Sequence, residues 1–188
     1  MNINRTLAIL AGFSLAALAT PTLQAQDIMY GGQVTVSMPC SGLGNTNYMD
    51  NKIGYGVGVH ALIPTPFWAG SAVEPRVDFT RYENSSRQDA KSDMFKAGLD
   101  YDYFFSQKVN DGLYAGLGAG YGSCSFIQNG AMDDHKNNVY FAAQTGWMFN
   151  RNFGAELRYT YAEYKPNVNG SSTTIDAPTL DASFIFHF

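Results

Sequence analysis

Apolar residues recur at every second position in eight separate runs between Ile28 and Phe188. A period of two is the signature of strands with one apolar face and one polar face. The runs cover residues 28–38, 52–63, 73–82, 94–105, 113–121, 139–149, 153–164 and 180–188. In the second run Ile53, Tyr55, Val57, Val59, Ala61 and Ile63 share one face, and Gly54, Gly56, Gly58 and His60 share the other. In the last run Ala182, Phe184, Phe186 and Phe188 oppose Asp181, Ser183 and His187, interrupted only by Ile185. Pro75 sits awkwardly in the third run, because proline lacks a donor for the ladder. The pattern there predicts a strand that starts at Pro75 or a bulge at that position.

Polar segments separate the runs and alternate in length. Long ones cover 39–51, 83–93, 122–138 and 165–179, and shorter ones cover 64–71, 106–112 and 150–152. Asn150-Arg151-Asn152 reads as a tight hairpin turn. An even number of strands joined by alternating long and short connections predicts a closed antiparallel barrel with both termini at one end. Aromatics gather near the run ends: Tyr30, Phe105, Trp147, Phe149, Phe153 and Phe188 toward the terminal end, and Tyr55, Phe79, Tyr121, Phe141, Tyr159 and Tyr161 toward the other. Apolar faces turned outward and girdled by aromatics suit a barrel whose outer solvent is lipid. The fold class expected is therefore all-β, an eight-stranded antiparallel transmembrane barrel. A lipocalin-like barrel with its greasy face inside is disfavoured, because an interior filled only by Phe, Tyr and Leu overfills eight strands.

Composition changes this picture little. The chain holds 12 Tyr, 13 Phe and 19 Gly, and carries a formal charge of −4. No basic patch is present, which argues against a nucleic-acid partner. Residues 1–25 read as a cleaved signal peptide: Arg5 supplies the basic start, LAILAGFSLAAL the apolar centre, and Leu23-Gln24-Ala25 a small-residue cleavage site. The apolar stretch is too short for a membrane-spanning helix, which needs about 20 residues. The barrel domain expected is 26–188.

Gly154-Ala155-Glu156-Leu157-Arg158-Tyr159-Thr160-Tyr161, the similar Glu74-Pro75-Arg76-Val77-Asp78-Phe79 and the terminal Phe188 carry a resemblance. They resemble the small eight-stranded outer-membrane barrels of the OmpA, OmpX and opacity-protein type. The resemblance spans the whole of 26–188 at the level of pattern, and no peptidoglycan-binding domain follows the barrel. It implies a location in the outer membrane of a Gram-negative envelope, with the termini in the periplasm. It also implies contact with lipid and lipopolysaccharide, and assembly signalled to the barrel-assembly machinery by Phe184, Phe186 and Phe188.

The inward parity collects Glu74, Arg76, Asp78, Lys96, Asp100, Asp102, Glu156, Arg158, Asp181 and His187. Eight strands leave an interior just wide enough for side chains. Unpaired charges there are costly, so these should pair: Arg76 with Asp100 or Asp102, Arg158 with Asp181 or Glu156. A structural plug is the leading expectation; a narrow cation-preferring path is the alternative, since six acids face three basic residues. A lipid A-modifying enzyme is the weakest reading, because none of His60, His135 and His187 stands in a nucleophile-and-base arrangement. The chain is expected not to be an enzyme and to need no cofactor. Asp133-Asp134-His135 lies in a segment expected to be a solvated loop, with no further ligand pattern to make a metal site. Cys40 and Cys124 fall at the ends of long connections, and either a disulfide or two free thiols fits the secretory route. The function expected is a scaffold whose four external loops contact a surface ligand.

Overall fold

The computed structural model describes residues 28–44, 49, 52–84, 90–128, 132–165, 167–168, 171–172 and 174–188. The signal peptide expected at 1–25 lies outside them. Strands β1 (Met29–Pro39), β2 (Gly54–Pro64), β3 (Ser71–Asn84), β4 (Ala90–Phe104), β5 (Gly112–Gln128), β6 (Met132–Met148) and β7 (Phe153–Tyr164) each pair antiparallel with the next. A one-turn helix α1 (Ser41–Gly44) follows β1, and three two-residue strands follow β7: β8 (Asn167–Val168), β9 (Ser171–Ser172) and β10 (Ile175–Asp176). The last strand, β11 (Thr179–His187), pairs with β7 on one side and β1 on the other. That pairing closes eight long strands into a barrel, so none of the eight is an edge strand.

The two-residue period seen in the chain sorts the faces. Tyr55 (70 % exposed) and Leu117 (70 %) stand outward, while Arg76 and Arg158 on the opposite parity are both 2 % exposed. Both chain ends of the barrel meet at one rim, where the Phe188 amide donates to the Tyr30 carbonyl at 3.0 Å. The short turn after β6 closes as expected: the Asn150 side-chain oxygen accepts from the amides of Asn152 (2.8 Å) and Phe153 (3.0 Å). A local bond of this kind is why asparagine favours turns.

Three expectations need correction. Pro75 neither starts a strand nor makes a bulge. β3 begins at Ser71, and Pro75 pairs with Leu99 in unbroken register. Its missing N–H is absorbed on the β2 side, where the ladder skips from His60–Arg76 to Ile63–Val73 without a shift in register. Second, the described residues of the segments 83–93 and 122–138 are strand rather than loop. β3 and β4 stay paired out to Asn84–Ala90, and β5 and β6 out to Gln128–Met132. Once a hairpin is in register, continuing the ladder satisfies backbone groups that a loop would leave to water. Two bonds from Arg81 to Asp93, at 2.7 and 2.8 Å, brace the first extension. Third, Asp133, Asp134 and His135 therefore belong to β6 and not to a loop.

Candidate functional site

Among the described residues the fold concentrates its polar chemistry in the lumen, whose contents form three tiers. The middle tier is ionic. Asp100 of β4 receives Arg158 of β7 through two bonds, Nη1 to Oδ2 at 2.5 Å and Nη2 to Oδ1 at 3.0 Å. It also receives Arg76 Nη1 of β3 at 3.2 Å. Arg76 continues across the barrel to Glu156 Oε1 (3.1 Å), Gln33 Oε1 (2.5 Å) and Gln144 Oε1 (3.1 Å). Gln144 also accepts from Arg158 and donates to Asp102 Oδ1 at 2.7 Å. Gln33 donates to Asp78 at 2.8 Å, and Tyr114 donates to Glu156 at 2.8 Å. Lys96 makes its own pair with Asp181 at 2.9 Å, which Ser37 also joins.

Sequence reasoning placed Arg158 against Asp181 or Glu156, and the structure corrects this. The bidentate partner of Arg158 is Asp100, three strands away around the barrel, while Lys96 takes Asp181 and Arg76 takes Glu156. The reason is barrel diameter. In eight strands a long side chain reaches the opposite wall, so strand adjacency does not select the partner. A period-two pattern carries no information about that reach. The glutamines Gln33 and Gln144 were on the inward parity but were not singled out, and they join the two guanidinium groups to the acids. Glycine supplies the room: a Cβ on Gly118 would collide with the Asp100 carboxylate.

The two outer tiers are apolar. At the loop end Leu43 of α1, Met49, Ile175 and Ala177 bury against Tyr82, Met94, Cys124, Tyr140 and Tyr164. The described parts of the first and last long connections that carry Leu43, Met49, Ile175 and Ala177 thus fold inward over the mouth, tied by the Cys40 amide to the Pro178 carbonyl at 2.7 Å. At the terminal end Leu62, Ala72, Phe104, Tyr114, Met148 and Ile185 pack together. Ile185, which broke the polar parity of the last strand, belongs to this tier. Cys40 and Cys124 are free thiols, and the structure does not bridge them. Cys40 Sγ lies 3.6 Å from the Met38 carbonyl oxygen, and Cys124 Sγ lies 3.2 Å from Ser92 Oγ. Among the described residues no group of three or more His, Cys, Asp and Glu is placed to hold a metal ion.

The outer surface completes the site's setting. Val34, Val57, Leu99, Leu117, Phe141, Leu157 and Phe184 form an exposed apolar belt, with Tyr30, Trp147, Phe149, Phe153 and Phe188 exposed toward the terminal rim. Phe67 and Trp68, in the turn between β2 and β3, are 77 % and 65 % exposed and extend that rim. They lie in a turn outside the alternating runs, so the period-two pattern gave no sign of them. An apolar belt bordered by aromatics at the terminal rim is the kind of exterior that suits lipid as outer solvent. No helix among the described residues is long and apolar enough to cross a membrane.

No family model matches the chain, and no curated protein matches it. Solved structures do. The chain is similar to Ail, the attachment invasion locus protein of Yersinia pestis, with 16 % identity and a TM-score of 0.54 over 86 % of this chain and 97 % of that one. It is similar to Neisserial surface protein A with 17 % identity and a TM-score of 0.52, over 86 % and 97 % of the two chains. Ail in complex with the heparin analogue sucrose octasulfate matches with 16 % identity and a TM-score of 0.50, over the same shares. At these identities the likeness is one of fold. The chain has the fold of the small eight-stranded outer-membrane β-barrels.

Proposed function

We propose that this chain is an integral outer-membrane protein that serves as a rigid scaffold for its external connections, with a lumen closed by ion pairs. The observation that carries the reading is the Arg76–Arg158–Asp100–Glu156 cluster. It spans the interior from β3 and β4 to β7 with all four side chains buried. Charge pairs of this kind fill the cross-section that a channel would need. The apolar tier at the loop end supports the same reading. In this orientation the termini face the periplasm, and the hairpin extensions of β3–β4 and β5–β6 stand outside the cell with α1 and β8–β10. These elements would meet lipopolysaccharide or a surface ligand, and no catalytic step is assigned to the barrel. Phe184, Phe186 and Phe188 would present the last strand to the assembly machinery.

A second reading keeps a specific observation in its favour. Among the described residues the lumen holds Glu74, Asp78, Asp100, Asp102, Glu156 and Asp181 against Arg76, Lys96 and Arg158, and an acidic surplus favours cations. Ion leakage from liposomes carrying the folded protein, with and without reductant, separates the two. The plug predicts no leakage above that of lipid in either condition. Cation-selective leakage in both conditions would replace it with the narrow channel. Leakage only after reduction would mean that Cys40 and Cys124, free thiols in this structure, are bridged in the protein and gate the lumen.

A further inference from the structure

His60 on β2 and His187 on β11 meet across the strand between them. Gly31 of β1 pairs with both, and a Cβ at Gly31 would collide with both imidazoles. Their Nε2 atoms lie 2.9 Å apart, with the rings at 88° and the centroids 5.0 Å apart. Both residues are buried, at 6 % and 7 % exposure.

The outer ring nitrogens decide what belongs between the rings. Asn110 Nδ2 donates to the Arg151 carbonyl at 2.7 Å, which fixes the orientation of the amide. Asn110 Oδ1 therefore faces His187 Nδ1, at 2.9 Å, and that nitrogen carries a proton. The Nε2 of a neutral His187 then presents a lone pair to His60. In the neutral pair His60 Nε2 holds the proton between the rings. Its Nδ1 is left as a bare lone pair, 3.7 Å from the Glu74 carboxylate and with no hydrogen-bond partner among the described residues. With Glu74 ionised, this sets one buried acceptor against another, which is unfavourable. A cation in place of the bridging proton relieves it: His60 takes its other tautomer, with Nδ1–H directed at Glu74.

We propose that His60 and His187 form a binding site for a divalent transition-metal ion of the zinc, nickel or copper class, coordinated through both Nε2 atoms. Imidazole suits these ions. Ligating histidines ordinarily donate the other ring N–H to a carboxylate or carbonyl, the parts that Glu74 and Asn110 play here. Metal–nitrogen bonds of about 2.0–2.1 Å hold the nitrogens of a tetrahedral site about 3.4 Å apart with both lone pairs aimed at the ion, so the two rings must part and turn from their nearly head-on arrangement to take it. The protein supplies two ligands, and water completes the shell at the terminal rim. On binding, one proton leaves His60 Nε2 and one is taken up at His60 Nδ1, so two neutral imidazoles bind the ion with no net proton release.

The test is a titration of Cu(II) into the folded protein carrying His135→Ala, which removes the exposed histidine of β6. Electron paramagnetic resonance reads the number of coordinated nitrogens, and a second titration with Zn(II) reads the thermal midpoint. One ion per barrel with a two-nitrogen pattern is expected. His60→Gln should weaken binding at least tenfold and leave a one-nitrogen pattern, and Asn110→Ala should weaken it about 10-fold or more with both nitrogens retained. Heat-dependent gel migration confirms that each variant is folded, and His60→Gln serves if a change at His187 disturbs the last strand. A two-nitrogen spectrum that survives His60→Gln would overturn the site, as would a folded His135→Ala protein that binds no ion.

Discussion

Asp100 is the residue at which two guanidinium groups converge, and the lumen's stability turns on it. Its carboxylate is buried with Arg158 on both oxygens and Arg76 on one. Removing one partner of a buried pair leaves a charge without compensation. Arg158→Ala is therefore expected to cost about 3–5 kcal/mol, measured by denaturant unfolding in lipid or detergent. The double change Arg158→Met with Asp100→Asn should cost less than the single one, because it removes both charges together. An additive double change would mean that the two residues do not act as a pair.

At the scale of the element, each strand carries two environments on one backbone. Leu117 of β5 stands in the lipid-facing belt, and its neighbour Gly118 lies against Asp100 inside. Leu117→Arg is expected to destabilise the barrel by about 2–4 kcal/mol, the cost of a charge near the bilayer midplane. The same substitution at the exposed Asn137, near the loop end of β6, should cost little. Equal costs at the two positions, by unfolding from bilayers, would contradict the assigned faces. The last strand adds an assembly prediction. Deleting Phe188, 81 % exposed at the terminal rim, should lower the folded fraction in cell envelopes, read by heat-dependent gel migration, while the purified chain still refolds in detergent. Poor refolding in detergent as well would move the role of Phe188 from assembly to stability.

For the whole molecule, closure is the property that everything else depends on. β1 and β11 are far apart in sequence yet pair over nine residues, from Gly31–His187 to Pro39–Thr179. Closure removes both sheet edges and makes an inside, and the same step brings His60, Gly31 and His187 together. It also lets α1 and β10 cap the loop end through Leu43 and Ile175. Loss of lumen closure is expected to appear as ion leakage in Arg76→Ala barrels in liposomes where the parent protein is tight. A tight Arg76→Ala barrel would assign the seal to the apolar tiers instead.

The amino-acid sequence by itself determined the number of long strands, the inward and outward parity, the aromatic rim at the terminal end and the ten residues of the charged lumen. Those follow from a local rule, because side chains alternate faces along any extended chain. Tertiary structure decided what that rule does not reach. Arg158 finds Asp100 rather than Asp181 because partners inside a narrow barrel are chosen across its diameter. Residues 83–84, 90–93, 122–128 and 132–138 become ladder because a hairpin in register keeps its backbone paired. Pro75 stays in register because only one of its two neighbouring strands needs the missing donor. His60 and His187 touch because Gly31 stands between them, a meeting that exists only once the first strand has closed against the last.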